Sequence, residues 1–271
     1  MTAKVTFIGA GPGAADLITL RGARAIAGAD VLIWASSLVQ EAVLEHARPD
    51  AEIVDSAALP MEGVIAIYER ALASDLRVAR IHSGDPALWG AVQEQLERCR
   101  ELGLETEIVP GVSAFSAVAA IAQRELTIPE VAQSVILTRL GGGKTPMPEK
   151  ESVRAFATHG TTMAVFLSAA RSGQLAAELL DGGYAPDTPV IVAYRATWED
   201  EELAYCTIAD LEETVKARKL WKHTLFLIGP ALGAHGTRSH LYHPGHFHGF
   251  RRADRTARRE LLAQREPGSD G

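Results

Sequence analysis

Short apolar strands alternate with amphipathic helical stretches along almost the whole chain, and this alternation restricts the fold more than any other feature. KVTFIGA (4–10) reads as a strand and LITLRGARAIAGA (17–29) as a helix, with Leu17, Leu20, Ala23/Arg24 and Ala27 at helical spacing. DVLIWA and LRVARIHS are further strands, separated by the helix EGVIAIYERALA. PALWGAVQEQLERCREL (86–102) reads as a helix with Leu88, Val92, Leu96 and Cys99 on one face. Asp85 is then its N-cap and Pro86 its first helical residue. LETEIVPG is a strand, and VSAFSAVAAIA begins a helix of small residues. Such strand–helix alternation predicts an α/β fold with a largely parallel sheet.

The pattern restarts after residue 130. QSVILTRL, TTMAVFLS, TPVIVAYRA and KHTLFLIGP are strands, and SGQLAAELLDGG is a helix ending at glycines. ELAYCTIADLEETVKA reads as a strand, a cap at Thr207 and a helix. The expectation is therefore two α/β domains, residues 1–115 and 125–235, joined near 112–130. Residues 236–271 form a Gly/Pro/Arg-rich extension without a clear apolar period. It carries seven Arg against four acids, which leaves −10 of the chain's net −7 charge on the remainder.

That acidic body argues against nucleic-acid partners. No apolar run approaches the roughly 18 residues a membrane helix needs, and no secretory leader is visible before the first strand. Cys99 and Cys206, lacking partners at metal or redox spacing, are expected reduced in a cytoplasmic protein. His240, His243, His246 and His248 cluster in the tail. Pro244, Gly245 and Gly249 break any helix that would align them, so no metal site is expected there.

The opening loop, Gly9-Ala10-Gly11-Pro12-Gly13-Ala14, satisfies G-x-G-x-x-[GA] and admits two readings. One is the phosphate turn of an NAD-binding domain. Against it, Pro12 removes a backbone donor, and Trp34-Ala35-Ser36-Ser37 stands where the ribose-binding acid should follow the second strand. The other reading gives the glycines a purely conformational purpose. Two more special loops follow strands: Ile81-His82-Ser83-Gly84-Asp85-Pro86 and Val109-Pro110-Gly111-Val112-Ser113-Ala114-Phe115. Three such loops at the carboxyl edge of one parallel sheet mark a ligand site.

VTFIGAGPG, HSGDPALWG and PGVSAF resemble the signature blocks of the S-adenosylmethionine-dependent tetrapyrrole methylases. DVLIWASSLV, TRLGGGKTPMP, MAVFLSAA, VAYRATWEDE and SHLYHP resemble the branch of that family that methylates precorrin-4 at carbon 11 in cobalamin synthesis. The blocks run in order from residue 4 to about 244. The resemblance implies two α/β domains with S-adenosylmethionine in the cleft between them, a precorrin-type tetrapyrrole substrate and a homodimer. It assigns the cofactor to Pro12, Ser83, Gly84, Asp85, Leu88, Ser113, Ala114, Leu167 and Ala196. It also turns Gly9, Gly11 and Gly13 into the cleft floor beneath the tetrapyrrole.

Uroporphyrinogen methylases of this family carry an aspartate just after the second strand, where this chain has Ala35, Ser36 and Ser37. The uroporphyrinogen reaction is therefore disfavoured, and no catalytic base is assigned. A polycarboxylate substrate on an acidic protein needs local cations. Arg139 and Arg195, at strand ends facing the expected cleft, are the leading ones, beside Lys144, Arg171 and His82.

Overall fold

The computed structural model describes residues 3–142, 146–236, 242–247 and 249–263. Among them the strands pair into two five-stranded sheets. The first comprises β1 (Lys4–Gly9), β2 (Val31–Trp34), β3 (Glu52–Asp55), β4 (Arg77–His82) and β5 (Glu105–Val109), in the order β3-β2-β4-β1-β5. Every pairing in it is parallel. A parallel sheet buried on both faces needs apolar residues of both parities. Accordingly Val5 and Phe7 of β1 join one core with Ile33 and Tyr68, while Ile8 joins the other with Ile26, Leu32 and Ile81. Gly9 is level with His82, and Ile8 with Val109, so the loops after β1, β4 and β5 emerge at one edge.

Helices α1 (Leu20–Ala27), α2 (Met61–Ala73) and α3 (Val92–Leu102) connect these strands, and two of them differ from expectation. In α1 the buried residues are Gly22 and Ile26, while Leu20 is 77% exposed. Leu17 belongs to a separate short 3₁₀ turn, so the expected Leu17–Leu20 face never forms. The chain turns into α1 at Thr19, whose hydroxyl accepts the Gly22 N–H at 3.1 Å. Thr19→Ala should therefore cost about 1 kcal/mol in denaturant unfolding, the usual worth of such a cap.

The helix expected from Pro86 begins only at Val92. Trp89 and Ala91 have φ of 52° and 48°, left-handed values that no α-helix accommodates. Asp85 is consequently not a helix cap. Its Oδ1 accepts the Ala87 N–H at 2.8 Å in a local turn, and its Oδ2 accepts the Gly111 N–H at 3.1 Å. Val92 and Cys99 enter the core below α3, whereas Leu88 faces a cavity described below. Strand β3 has no counterpart in the sequence reading, since its four residues, EIVD, show no apolar run.

The second sheet comprises β6 (Val135–Arg139), β7 (Thr162–Phe166), β8 (Pro189–Tyr194), β9 (Glu202–Thr207) and β10 (Thr224–Ile228), in the order β6-β7-β10-β8-β9. Only the β6–β7 pairing is parallel; β7–β10, β10–β8 and β8–β9 are antiparallel. The strand–helix alternation fails here because β8 passes to β9 without a helix. Helix α7 (Leu211–Arg218) is headed by Asp210, and Thr207 is the last residue of β9, so Thr207 is not its cap. Its hydroxyl instead donates to Asp210 Oδ2 at 2.7 Å.

Helices α5 (Val153–Ala157), α6 (Ser172–Asp181) and α7 cover one face, with Leu175, Leu179 and Val215 packed on Val165, Val192 and Phe226. The opposite face receives α4 (Ala114–Ile121), whose Val118 packs against Ile191, Leu225 and Leu227. Helix α4 follows the first sheet in sequence but packs on the second. Its start, Ser113-Ala114, therefore stands between the two sheets.

Candidate functional site

A cavity of about 560 Å³ opens where the two sheets meet. From the first sheet it is lined by the loops after β1, β2, β4 and β5. Alternating polarity supplies the rest: Phe166 ends β7, Tyr194 ends β8, and Thr224 begins antiparallel β10 opposite Tyr194. The segments 166–170, 193–196 and 221–225 accordingly share one wall. The volume falls in the range typical of small-ligand sites.

The opening loop is tied into this assembly by its own amides. Ala10 N–H donates to His82 O at 2.8 Å, Gly11 N–H to Gly84 O at 3.2 Å, and Ala14 N–H to Thr197 Oγ1 at 2.8 Å. Pro12 has no N–H to give. These donors, which a dinucleotide's pyrophosphate would need, are committed internally. The glycines permit close backbone approaches. A Cβ on Gly9 would lie 2.5 Å from Gly111 Cα, and one on Gly13 would lie 2.3 Å from Trp198 Cδ1.

Several non-glycine residues on the wall hold left-handed backbone: Trp89, Leu167, Arg195 and His223, at φ of 52°, 51°, 44° and 50°. Strain of this kind persists only where the surroundings over-determine it, and it concentrates at functional sites. Leu167 is 71% exposed despite being apolar.

Charge on the wall is mostly positive. Arg80 donates from Nε to Gln95 Oε1 at 3.2 Å and from Nη1 to Ser56 Oγ at 2.9 Å, both neutral acceptors. Arg195 donates from Nη1 to Asp200 Oδ2 at 2.6 Å and from Nε to His223 Nδ1 at 3.3 Å. Its guanidinium also lies 5.0 Å from the Trp198 ring. Lys222 stands beside them. His82 is 8% exposed, and its Nε2 is buried without a hydrogen-bond partner. Burial, with Arg80 nearby, pushes the His82 imidazole down to about 3, so it is neutral at working pH. Burial, with Arg195 and Lys222, also lowers His223.

The model of the Tetrapyrrole (Corrin/Porphyrin) Methylases matches residues 4–212, well over half of the chain. The chain belongs to the tetrapyrrole methylase family. It is 44% identical to a precorrin-4 C(11)-methyltransferase of Pseudomonas aeruginosa, over 91% of this chain and 98% of that protein. A solved cobalt precorrin-4 methyltransferase, a cobalamin biosynthetic enzyme, superposes with TM-score 0.82 at 40% identity, covering 85% of this chain and 96% of that one. A uroporphyrin-III C-methyltransferase of Thermus thermophilus, solved with S-adenosyl homocysteine, superposes with TM-score 0.71 at 26% identity, covering 85% of this chain and 99% of that one. As a tetrapyrrole methylase the chain is a C-methyltransferase whose methyl donor is S-adenosylmethionine.

All nine residues that the family resemblance assigned to the cofactor line the cavity: Pro12, Ser83, Gly84, Asp85, Leu88, Ser113, Ala114, Leu167 and Ala196. Arg195 lines it as well. Gly9, Gly11 and Gly13 are not on its wall; they brace the loops that form it. Arg139 is also off the wall, with Nη2 donating to Pro146 O at 3.2 Å and Nη1 to Leu140 O at 3.4 Å. The end of β6, where it sits, lies beyond β7 at the sheet edge. Arg171 donates to Leu140 O and Gly141 O. Lys144, His240 and His248 lie outside the described residues.

Arg80, Trp89, Trp198, Trp221 and Lys222 were missed. Arg80 had a signal: it is two residues before His82 on β4, the same parity as the strand residue that opens the ligand loop. Trp89 and Trp198 lie inside the blocks HSGDPALWG and VAYRATWEDE without having been assigned to the site, and Trp221 had no local signal. Among the described residues, no His, Cys, Asp and Glu cluster suits a metal, and no helix is long and apolar enough to cross a membrane.

Proposed function

We propose that this chain transfers the methyl group of S-adenosylmethionine to carbon 11 of precorrin-4, metal-free or carrying cobalt. The observation that carries this reading is the convergence of the three loops after β1, β4 and β5 with Leu167 and Ala196 on one cavity. The relatives' names supply the choice of carbon and of ring. Cavity and ligand are compatible. The volume suits one small molecule, and Leu88 and Leu167 offer apolar walls.

The bound donor supplies a sulfonium methyl for direct attack by a nucleophilic ring carbon. The chain's own part is mainly orientation, an effect worth up to roughly 7–11 kcal/mol. Pro12, Ser83, Gly84, Ser113, Ala114 and Ala196 would cradle the donor, and Leu88 and Leu167 would exclude water. Two accepted hydrogen bonds leave lone pairs on the Asp85 carboxylate for a ribose or ammonium group. Arg80, Arg195 and Lys222 would meet the substrate's carboxylates, with Gly9, Gly11 and Gly13 holding the floor in shape and Arg139 serving from outside the wall. Asp85 is the only carboxylate among the described wall residues, so proton release after methylation is left to water.

The same resemblance supports a cytoplasmic homodimer, with 1–115 and 125–235 as domains and 236–271 as an extension; sedimentation checks the dimer. Calorimetry should show binding of S-adenosylhomocysteine and none of NAD. Asp85→Ala should raise the S-adenosylhomocysteine Kd about tenfold, the worth of one charged hydrogen bond. Mass spectrometry and NMR of the product from precorrin-4 test the carbon. Binding of NAD, or methylation elsewhere, removes the assignment.

A further inference from the structure

We infer that Thr197 and Trp198 form a latch that joins the two halves of the cavity wall, and that both are positioning residues for the methyl donor. This rests on the reading that the cavity holds S-adenosylmethionine. Two hydrogen bonds run from the opening loop of the first sheet to the loop after β8 of the second. Ala14 N–H donates to Thr197 Oγ1 at 2.8 Å, and Trp198 Nε1–H donates to Pro12 O at 3.1 Å. Pro12 lines the cavity from one side, and Ala196 and Trp198 line it from the other. The latch therefore joins two cavity-lining groups, one from each sheet, that would touch the same ligand.

The contact is tight as well as bonded. A Cβ on Gly13 would lie 2.3 Å from Trp198 Cδ1 and 2.8 Å from Thr197 Oγ1, so only glycine lets the two loops meet. The loop after β8 is held rigid for this meeting. Thr197 is β-branched yet has φ of 68°, an outlier that needs external support. Glu201 Oε2 accepts the Thr197 N–H at 2.6 Å. The Trp198 ring is backed by the Arg195 guanidinium at 5.0 Å and by the His223 ring at 6.1 Å, and Arg195 is anchored to Asp200 at 2.6 Å.

A ligand that contacts both groups binds fully only when the latch is closed. By linkage, the ligand must then lower the population of the open latch by the factor by which closure strengthens binding. The test compares wild type with Thr197→Val, Thr197→Ser and Trp198→Phe, at a temperature where each is folded. Thr197→Val keeps the shape and removes the acceptor. It should raise the S-adenosylhomocysteine Kd about fivefold or more, while Thr197→Ser stays within about twofold of wild type. Trp198→Phe keeps a ring and removes the indole N–H, and carries the same expectation as Thr197→Val even where Thr197→Val does not fold.

The KM for S-adenosylmethionine should rise while that for the tetrapyrrole holds. S-adenosylhomocysteine should slow amide exchange at Ala14 in wild type. A merely structural contact would lower the melting temperature and leave Kd and KM unchanged. That result overturns the latch, as does equal binding by Thr197→Val and Thr197→Ser, or Ala14 exchange indifferent to ligand. A wild-type chain that does not bind S-adenosylhomocysteine overturns the cofactor reading itself, and the latch's role with it.

Discussion

Gly111→Ala is expected to abolish methyl transfer and to lower stability by about 3 kcal/mol or more. The added Cβ would lie 2.0 Å from Gly84 O and 2.7 Å from Gly9 Cα. Both are backbone atoms, so no side chain can swing aside. Gly84 O already accepts the Gly11 N–H, Gly84 N–H donates to Gly11 O at 2.7 Å, and Gly111 N–H donates to Asp85 Oδ2 at 3.1 Å. Relief at Gly111 thus requires separating the three loops that build one side of the cavity. Overpacking alone costs typically 1–3 kcal/mol, and each backbone hydrogen bond lost adds about 1 kcal/mol.

Gly111 lacks the left-handed φ of Gly84, so the effect is steric. Gly103→Ala is the counterpart. Gly103 has φ of 78° with nothing within 4 Å of a Cβ, and its cost should stay near the 1–2 kcal/mol of backbone strain. Denaturant unfolding and S-adenosylhomocysteine calorimetry on both variants check the contrast. A Gly111→Ala chain as stable as Gly103→Ala would show that the loops separate freely.

The second large effect is in acid. His82 is buried against Phe7 beside Arg80, and its imidazole titrates near 3 in the folded chain against 6.5 unfolded. The unfolded chain therefore binds a proton that the folded chain refuses between those values. Stability is full above pH 6.5 and falls as pH drops toward 3, by up to about 1.4 kcal/mol per pH unit. Across the window this approaches about 5 kcal/mol, a large part of a typical domain's total. His82→Phe keeps a ring and removes the titrating nitrogens, so it should flatten the wild-type slope in this window. Melting curves from pH 7 to 4 read the difference. Parallel slopes for the two proteins would mean that other groups carry the acid sensitivity. The buried Nε2 without a partner explains why the substitution breaks no hydrogen bond there.

Most of the strands and helices, and the three loops that line the cavity, were legible because their signals are local. Apolar parity along β1 and β4, the glycine pair closing α6 and the glycine-rich turn after β1 each lie within a dozen residues. The nine assigned cofactor residues were legible through family blocks, which are also local strings, and they reach one cavity. Where the reading went astray, a local signal was truthful but outvoted. Asp85-Pro86 is a good helix start, yet Trp89 and Ala91 take left-handed backbone and Asp85 turns to Gly111. Leu20 has helical spacing, but α1 approaches β1 at Gly22, where a Cβ would stand 3.0 Å from Ile8 Cγ2, and Leu20 faces outward. Arg139 ends a strand as expected, but the strand is at the sheet's edge, beyond the cavity.

The residues in order were enough to establish two α/β halves, the parallel character of the first sheet, the edge of it where the three special loops gather and the family. Each of these follows from periodicity, turn chemistry or contiguous motif, all short in range. The chain's folding in space settled the mixed polarity of the second sheet, which turns the start of β10 toward the cavity. It also settled why Gly9, Gly13 and Gly111 are glycines: their neighbours are Gly111, Trp198 and Gly84, some 27 to 185 positions away in the sequence. Close packing between segments so far apart leaves no periodic trace, because a steric limit depends on what arrives opposite a residue and not on the residues beside it.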